Sequence, residues 1–316
     1  MRTGVIQPLP GIGDMVWFLP ALRTIAAHAP GGKITLFARA SCLPASLFAH
    51  EPMIERVVIL PKPKRGGLSA LTNLWGTWQA LRQAKPDRLF VLHHSPRYQQ
   101  AAKLAGVRDV IAYPPLTDKT YIDGWVRSRS FLASVGLPVE DPTPRLSVAP
   151  ELVATVAERY AGLPKPWIIM TAGASEPVRR WPPENFAKLA EALVQATGGT
   201  IFLTGAPSDA EIVARLTGAC AAKQSLISLV GRPLEEAMAL MTLADCLVGC
   251  DSGPPNLAAA LGCPTISLLS LDRPPLHSPC LEFIYPPDGQ DVRGTDVQTV
   301  ITAALTGLEH SKRNPE

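Results

Sequence analysis

The chain has 316 residues, 47% of them hydrophobic, with 30 Lys and Arg against 27 Asp and Glu and a formal net charge of +3. That length favours two domains over one, and that apolar share is enough for two cores, which excludes a disordered chain. The near balance of charge argues against a dedicated nucleic-acid binder but leaves room for local basic pockets that take phosphate.

A short apolar strand opens the chain at Gly4–Gln7. Gly11-Ile12-Gly13-Asp14 follows and leads into a helix whose first turn is read at Met15–Phe18, with Pro20 further in and a helical pattern over Ala21–His28. Glycines permit a tight turn and close approach to a ligand, and a helix N-terminus favours anions. Three residues argue against the dinucleotide fingerprint G-x-G-x-x-G. Val16 takes the third glycine position, Asp14 would lie beside the pyrophosphate, and Phe37-Ala38-Arg39-Ala40, without an acid, ends the second strand at Ile34–Phe37. Asp14 is then either a helix cap or a general base at the carboxyl end of the first strand, and the residues alone do not choose.

Strands at Arg56–Leu60, Arg88–Leu92 and Val110–Ala112 and a helix at Leu68–Ala84 complete the first half. That helix carries the stripe Leu71, Leu74, Trp75, Trp78 and Leu81 just after Lys62, Lys64 and Arg65. The stripe is either the helix's core face or a peripheral contact with the inner face of the cytoplasmic membrane. His93 and His94 follow the fourth strand, then Ser95-Pro96-Arg97-Tyr98. A histidine pair at a strand end is more often structural than a ligand contact. The segment 136–145 is proline-rich and begins the interdomain connection. Two domains are expected, 1–148 and 149–316, with the last helix packing back onto the first.

In the second half, strands are expected at Trp167–Thr171, Thr200–Thr204, Leu226–Leu229, Cys246–Gly249 and Thr265–Leu269. The helices are Glu184–Thr197, Leu234–Ala244 and Asn256–Leu261. Strands alternating with helices throughout predict an α/β protein of two doubly wound, Rossmann-like domains facing each other across a cleft. After the first strand of this half, Thr171-Ala172-Gly173-Ala174-Ser175 offers amides and hydroxyls, and Arg179-Arg180 offers charge for a diphosphate. The plain alternative is a solvated arginine pair. Asp251-Ser252-Gly253 joins a strand to a helix of small residues whose free amides suit an anion.

Six cysteines, Cys42, Cys220, Cys246, Cys250, Cys263 and Cys280, form no C-x-x-C pair and are expected as reduced core thiols. No metal site is expected. The chain enters a strand at once, and no apolar run reaches the roughly 18 residues of a membrane span, so a cytoplasmic protein is expected.

These motifs together resemble glycosyltransferase family 9, the lipopolysaccharide heptosyltransferases, over nearly the whole chain. The resemblance is carried by Gly11-Ile12-Gly13-Asp14 with Pro20-Ala21-Leu22-Arg23, Arg179-Arg180-Trp181-Pro182, Gly231-Arg232-Pro233-Leu234, and Asp251-Ser252-Gly253 with Leu257-Ala258-Ala259-Ala260. It implies the GT-B fold and an inverting, metal-independent transfer, in the family's case of heptose from ADP-heptose, to an acidic lipopolysaccharide-core or surface-glycan acceptor. Asp14 falls on the family's base. Thr171, Gly173, Ser175, Arg179, Arg180, Gly205, Gly231, Arg232, Leu234, Asp251, Ser252, Gly253 and Asn256 fall on the donor side. Gly11, Gly13, His93 and Arg97 fall on the acceptor side. No cofactor is implied, since the nucleotide sugar is a substrate, and no D-x-D metal motif occurs. One position departs: the family pattern D-T/S-G-x-x-H has histidine where this chain has Asn256, which donates hydrogen bonds but cannot carry positive charge. Two other functions share these features, a nucleotide-sugar 2-epimerase of the same fold and a non-catalytic homologue that binds nucleotide or glycan.

Overall fold

The computed structural model describes residues 1–63, 69–114, 124–269, 278–287, 289 and 291–313. Leu68, Lys64 and Arg65 lie outside the described residues. The chain divides into two compact units, Met1–Pro144 and Arg145–Glu316, with the division inside the proline-rich segment.

The first unit runs β1 (Thr3–Ile6), α1 (Ile12–Ala27), β2 (Ile34–Arg39), α2 (Pro44–Leu47), β3 (Ile54–Leu60), α3 (Ser69–Ala84), β4 (Arg88–Val91), α4 (Pro96–Leu104), β5 (Asp109–Ala112) and α5 (Gly124–Ser134). Its strands form one parallel sheet in the order β3-β2-β1-β4-β5. Every residue of β1 is buried, whereas the edge strands β3 and β5 are largely half-exposed. This is the contrast expected when helices cover both faces and only the edges meet water. Below the sheet, Phe37, Leu89, Val91, Tyr98 and Leu81 belong to one apolar cluster.

The second unit runs α6 (Pro150–Tyr160), β6 (Trp167–Thr171), α7 (Pro183–Thr197), β7 (Thr200–Leu203), α8 (Ala210–Ala219), β8 (Leu226–Ser228), α9 (Leu234–Leu243), β9 (Cys246–Cys250), α10 (Gly253–Ala260), β10 (Thr265–Leu268), β11 (Leu281–Ile284) and α11 (Val297–Arg313). The order is β11-β10-β9-β6-β7-β8, again all parallel. Both sheets are doubly wound. The order reverses between β1 and β4 in the first unit and between β6 and β9 in the second, and at such points the loops at the carboxyl ends of the strands splay apart to leave a crevice.

The 32 prolines act as punctuation. Pro44, Pro96, Pro150 and Pro183 each stand in the first turn of a helix, where a missing N–H costs no helical hydrogen bond. The last helix, α11, contributes Val300, Ala304 and Leu308 to the second unit's core, where α7 supplies Phe186, Leu189 and Leu193. Trp181 is fully buried in that cluster, and its indole N–H donates to the Thr295 carbonyl at 3.0 Å.

Candidate functional site

At the first unit's reversal point, Gly11 is the N-cap of α1, and Gly13 and Asp14 lie inside its first turn. The helix therefore begins at Ile12, three residues before the predicted first turn. The Asp14 Oδ2 accepts the Gly11 N–H at 2.9 Å, so the carboxylate reaches back one turn to a donor that the helix itself cannot satisfy. Capping is thus an observed task of Asp14. Ser41, just beyond β2, donates to the Pro10 carbonyl at 2.8 Å and ties the neighbouring loop to the same turn. Burial pushes the adjacent Cys42 thiol up to about 11, and the Asp14 charge acts in the same direction.

On the other side of the reversal point, His93 Nδ1 accepts the Ser95 N–H at 2.9 Å, which leaves the proton of the neutral ring on Nε2. Burial, reinforced by the charges of Arg97, His94 and Arg39, holds the His93 pKa down at about 4. Arg97 donates to the Tyr98 hydroxyl at 2.6 Å and lies 4.6 Å over that ring. His94 Nδ1 is 2.9 Å from the Pro114 carbonyl, and its Nε2 meets Arg127 Nη1. A neutral His94 satisfies both contacts only as the Nδ1–H tautomer. Arg39 and Arg127 were not singled out from sequence. Arg39 stands at the end of β2, the strand beside β1, and it reaches His93 electrostatically only because of that strand order.

Neutral His93 makes the stability of this unit depend on pH. In the unfolded chain the ring titrates at its ordinary 6.5, in the folded chain at about 4. Between those values the unfolded state binds the extra proton, so stability rises with pH. The contribution is complete above pH 6.5 and is lost as pH falls toward 4. Thermal melts across that window should therefore fall more steeply for the native protein than for His93→Asn. Parallel slopes would show that the imidazole titrates normally when folded.

In the second unit, the loops after β6, β7, β8 and β9 end at one edge of the sheet. Thr171, the last residue of β6, is buried with no hydrogen-bond partner for its hydroxyl, and the same holds for Thr204 after β7, which sequence reasoning had taken only as a strand end. Gly249 of β9 faces Thr171 so closely that a Cβ there would stand 2.0 Å from the threonine Oγ1 and 3.0 Å from Pro255 Cγ. Only glycine lets this strand and the small-residue turn approach each other. Gly173 and Gly205 both face the Asp209 carboxylate, which accepts the Ala206 N–H at 2.8 Å. Ser175 is exposed.

The two arginines separate in role. Arg179 is largely buried, and its Nε lies 3.6 Å from both Asp251 Oδ2 and Glu176 Oε2, beyond hydrogen-bond range. Arg180 is exposed and donates from Nε to the Ala174 carbonyl at 2.7 Å, bracing the turn. The structure thus brings Arg179 and Asp251 together across the β6–β9 reversal point. Trp181 N–H points at Cys250 Sγ at 3.3 Å, and that thiol in turn reaches the Ala172 carbonyl at 3.6 Å. Burial pushes the Cys250 thiol up to about 12, so it stays protonated and structural.

Helix α10 begins at Gly253, not Asn256 as predicted, because Pro254 and Pro255 occupy its first turn. The correction bears on anion binding. Of the four N–H groups a helix leaves open, those at positions 254 and 255 do not exist, so only the Ser252 and Gly253 amides remain. Asn256 is buried one turn in, and its Nδ2 donates to the Ser252 carbonyl at 2.9 Å. Ser252 Oγ donates to the Cys250 carbonyl at 3.1 Å. Gly231 adopts a left-handed φ of 78° and donates to the Gly205 carbonyl at 3.0 Å, joining the β7 and β8 loops. Leu234 opens α9, and exposed Arg232 lies 3.9 Å from Glu236, which also receives Arg159 at 2.5 Å. Among the described residues no cluster of three or more His, Cys, Asp or Glu side chains is placed to hold a metal. Nor is any helix among them long and apolar enough to cross a membrane.

The family model for glycosyltransferase family 9 (heptosyltransferase) matches residues 118–280, just over half of the chain. Lipopolysaccharide heptosyltransferase 2 of Salmonella typhimurium is 26% identical over 303 residues, covering 88% of this chain and 85% of that protein. Among solved structures, E. coli ADP-heptose lipopolysaccharide heptosyltransferase II superimposes with a TM-score of 0.80 at 22% identity, covering 99% of this chain and 100% of that one. An E. coli heptosyltransferase solved with ADP gives a TM-score of 0.70 at 18% identity, over 97% and 100% of the two chains. The two parallel, doubly wound units are those of the GT-B class.

Proposed function

Because this chain belongs to glycosyltransferase family 9, the heptosyltransferases, we propose that it transfers heptose from ADP-heptose to an acidic lipopolysaccharide-core or surface-glycan acceptor, with inversion at the anomeric carbon. The observation that carries the donor side is the buried Arg179 guanidinium at the β6–β9 reversal point, with an Nε that no hydrogen bond satisfies. A buried cation with an unused donor, next to two open helix amides and the unpartnered Thr171 hydroxyl, suits an incoming diphosphate. Asp251 and Glu176 flank the guanidinium at 3.6 Å from its Nε, beyond hydrogen-bond range. The relatives, an ADP-heptose heptosyltransferase and lipopolysaccharide heptosyltransferases, support the sugar and the nucleotide.

In the proposed reaction the acceptor hydroxyl attacks the anomeric carbon as Asp14 accepts its proton, and the nucleoside diphosphate leaves toward Arg179 and the Ser252 and Gly253 amides. The acceptor's negative charge is drawn by Arg39, Arg97 and Arg127, with neutral His93 as a hydrogen-bond donor. Such an acceptor is met at the inner face of the cytoplasmic membrane, where the chain would work as a peripheral protein. The nucleotide sugar is a substrate, and the chemistry calls for no cofactor.

Titration calorimetry tests the donor site. Arg179→Ala should weaken a nucleoside diphosphate by about 2 to 3 kcal/mol and a monophosphate by less. Unchanged diphosphate affinity would place the phosphates elsewhere. Turnover should survive EDTA; a complete loss that magnesium restores would contradict the metal-independent route. Incubation with donor alone separates transfer from 2-epimerisation, since an epimerase turns over without acceptor.

A further inference from the structure

Helix α3 buries only Thr77, Ala80, Leu81 and Ala84, while Leu74 and Trp78 pack partly against the first unit's core. The rest of its apolar stripe faces solvent. Leu71 is 62% exposed, Trp75 57%, and Leu104 at the end of α4 64%. With Pro61, Lys62 and Trp78 they line an open groove of about 840 Å³. Its walls are held in place. Trp75 and Trp78 pack with ring centroids 4.4 Å apart, and the Trp78 indole N–H donates to the Leu104 carbonyl at 3.2 Å. Gly76 lets Pro61 lie directly on the helix, where a Cβ would come within 2.4 Å of Pro61 Cγ. A grouped, rigid apolar patch with two indoles at its rim marks an interaction surface more often than an accident of sequence.

The charges around it indicate the partner. Lys62 lines the groove, Arg82 lies 5.3 Å over the Trp78 ring, and exposed Lys103 adjoins Leu104 in the chain. Neither α3 nor α4 contains an acidic residue. An acidic protein partner would be met by charge alone. Insertion of Leu71 and Trp75 beside a cationic rim instead matches the interfacial region of an anionic bilayer, where indoles favour the headgroup level and lysines reach the phosphates.

We infer that the α3–α4 face of the first unit docks the protein on a membrane carrying anionic lipids, with Leu71, Trp75 and Leu104 entering the headgroup region. The surface is read from its own residues, independently of the proposed transfer, and vesicle binding needs no sugar. A failure here therefore leaves the transferase reading standing. Co-sedimentation should retain the protein on vesicles of phosphatidylglycerol and phosphatidylcholine in equal parts, with much less on phosphatidylcholine alone and less at high salt. Tryptophan emission should shift to the blue on binding. Leu71→Ser with Trp75→Ser, both at solvent-exposed sites, should lower the partition coefficient by at least about tenfold. Lys62→Glu, which leaves the apolar face intact, should weaken binding to the anionic vesicles only. Two results would overturn the inference: equal binding by the double serine variant, or no vesicle binding together with a concentration-dependent dimer that this variant abolishes. The second would assign the face to another copy of the chain.

Discussion

Asp14→Asn is expected to cut turnover by about a hundredfold or more while leaving donor affinity and the melting temperature close to native. The substitution separates the two tasks of this residue. Asparagine keeps an oxygen that can accept the Gly11 N–H, the contact that Asp14 makes at 2.9 Å, so α1 retains its closed first turn. What is lost is a negative charge near the helix N-terminus, worth about 0.3 to 1 kcal/mol, and the capacity to take a proton. A general base cannot be replaced by an amide of the same shape, whereas a cap can. Turnover near native in the variant would leave Asp14 as a cap alone. A matching collapse of stability and activity would show that the carboxylate acts through the fold of the glycine turn. Asp14→Ala distinguishes the roles further, since it removes both and should melt lower than Asp14→Asn.

Trp181→Ala should destabilise the second unit by about 3 to 5 kcal/mol. The side chain has no exposed surface, sits edge-to-face with Phe186 at 5.0 Å, and uses its indole N–H on the Thr295 carbonyl. Its truncation opens a cavity in the second unit's core and leaves a buried carbonyl without a partner. Its backbone N–H is also one end of the chain of contacts through Cys250 to Ala172, so the turn that holds Arg179 and Arg180 rests on it. Trp181→Phe keeps most of the volume but not the donor, and should cost about 1 to 3 kcal/mol. Urea titration of the three proteins measures both steps. A loss below about 1 kcal/mol in the alanine variant would mean that the core closes over the gap and that the Arg-Trp-Pro motif is not a structural anchor.

Much of this architecture was legible in the sequence because central parallel strands are buried on both faces and read as uninterrupted apolar runs. The stretch at Trp167–Thr171 was placed to the residue, and β1, β2 and β9 differ only at their ends. Helix starts were less legible. At α10 the helix was expected from Asn256, but Pro254 and Pro255 have a preset φ that suits a first turn, and the structure begins at Gly253. At α1 the glycine turn concealed that Gly11 is already the N-cap and Asp14 the third helical residue. The stripe on α3 proved to be two surfaces: Leu81 belongs to the core, and Leu71 and Trp75 to solvent, since a single helix period cannot say how far a neighbouring strand extends over it.

The site divides in the same way. Motif residues such as Arg179 and Asp251 could be named separately, but their meeting at 3.6 Å depends on β9 pairing with β6, a contact between residues 78 apart in the chain that no local pattern encodes. Arg39 was missed for the same reason. It carries no motif and acquires its place beside His93 only through the order β2-β1-β4. Asp209 had a local signal, an acid three residues after Ala206 at a helix start, but its position against Gly173 and Gly205 required the sheet.

The most direct test of the account is a transfer reaction followed by mass spectrometry and NMR, with ADP-heptose as donor, a heptose-deficient lipopolysaccharide core as acceptor, and EDTA present throughout. The account predicts that one nucleoside diphosphate is released for each heptose attached, only when acceptor is present, and that the new glycosidic bond has the opposite anomeric configuration to the donor. Donor consumption without acceptor, retention of configuration, or nucleotide binding with no transfer would contradict it.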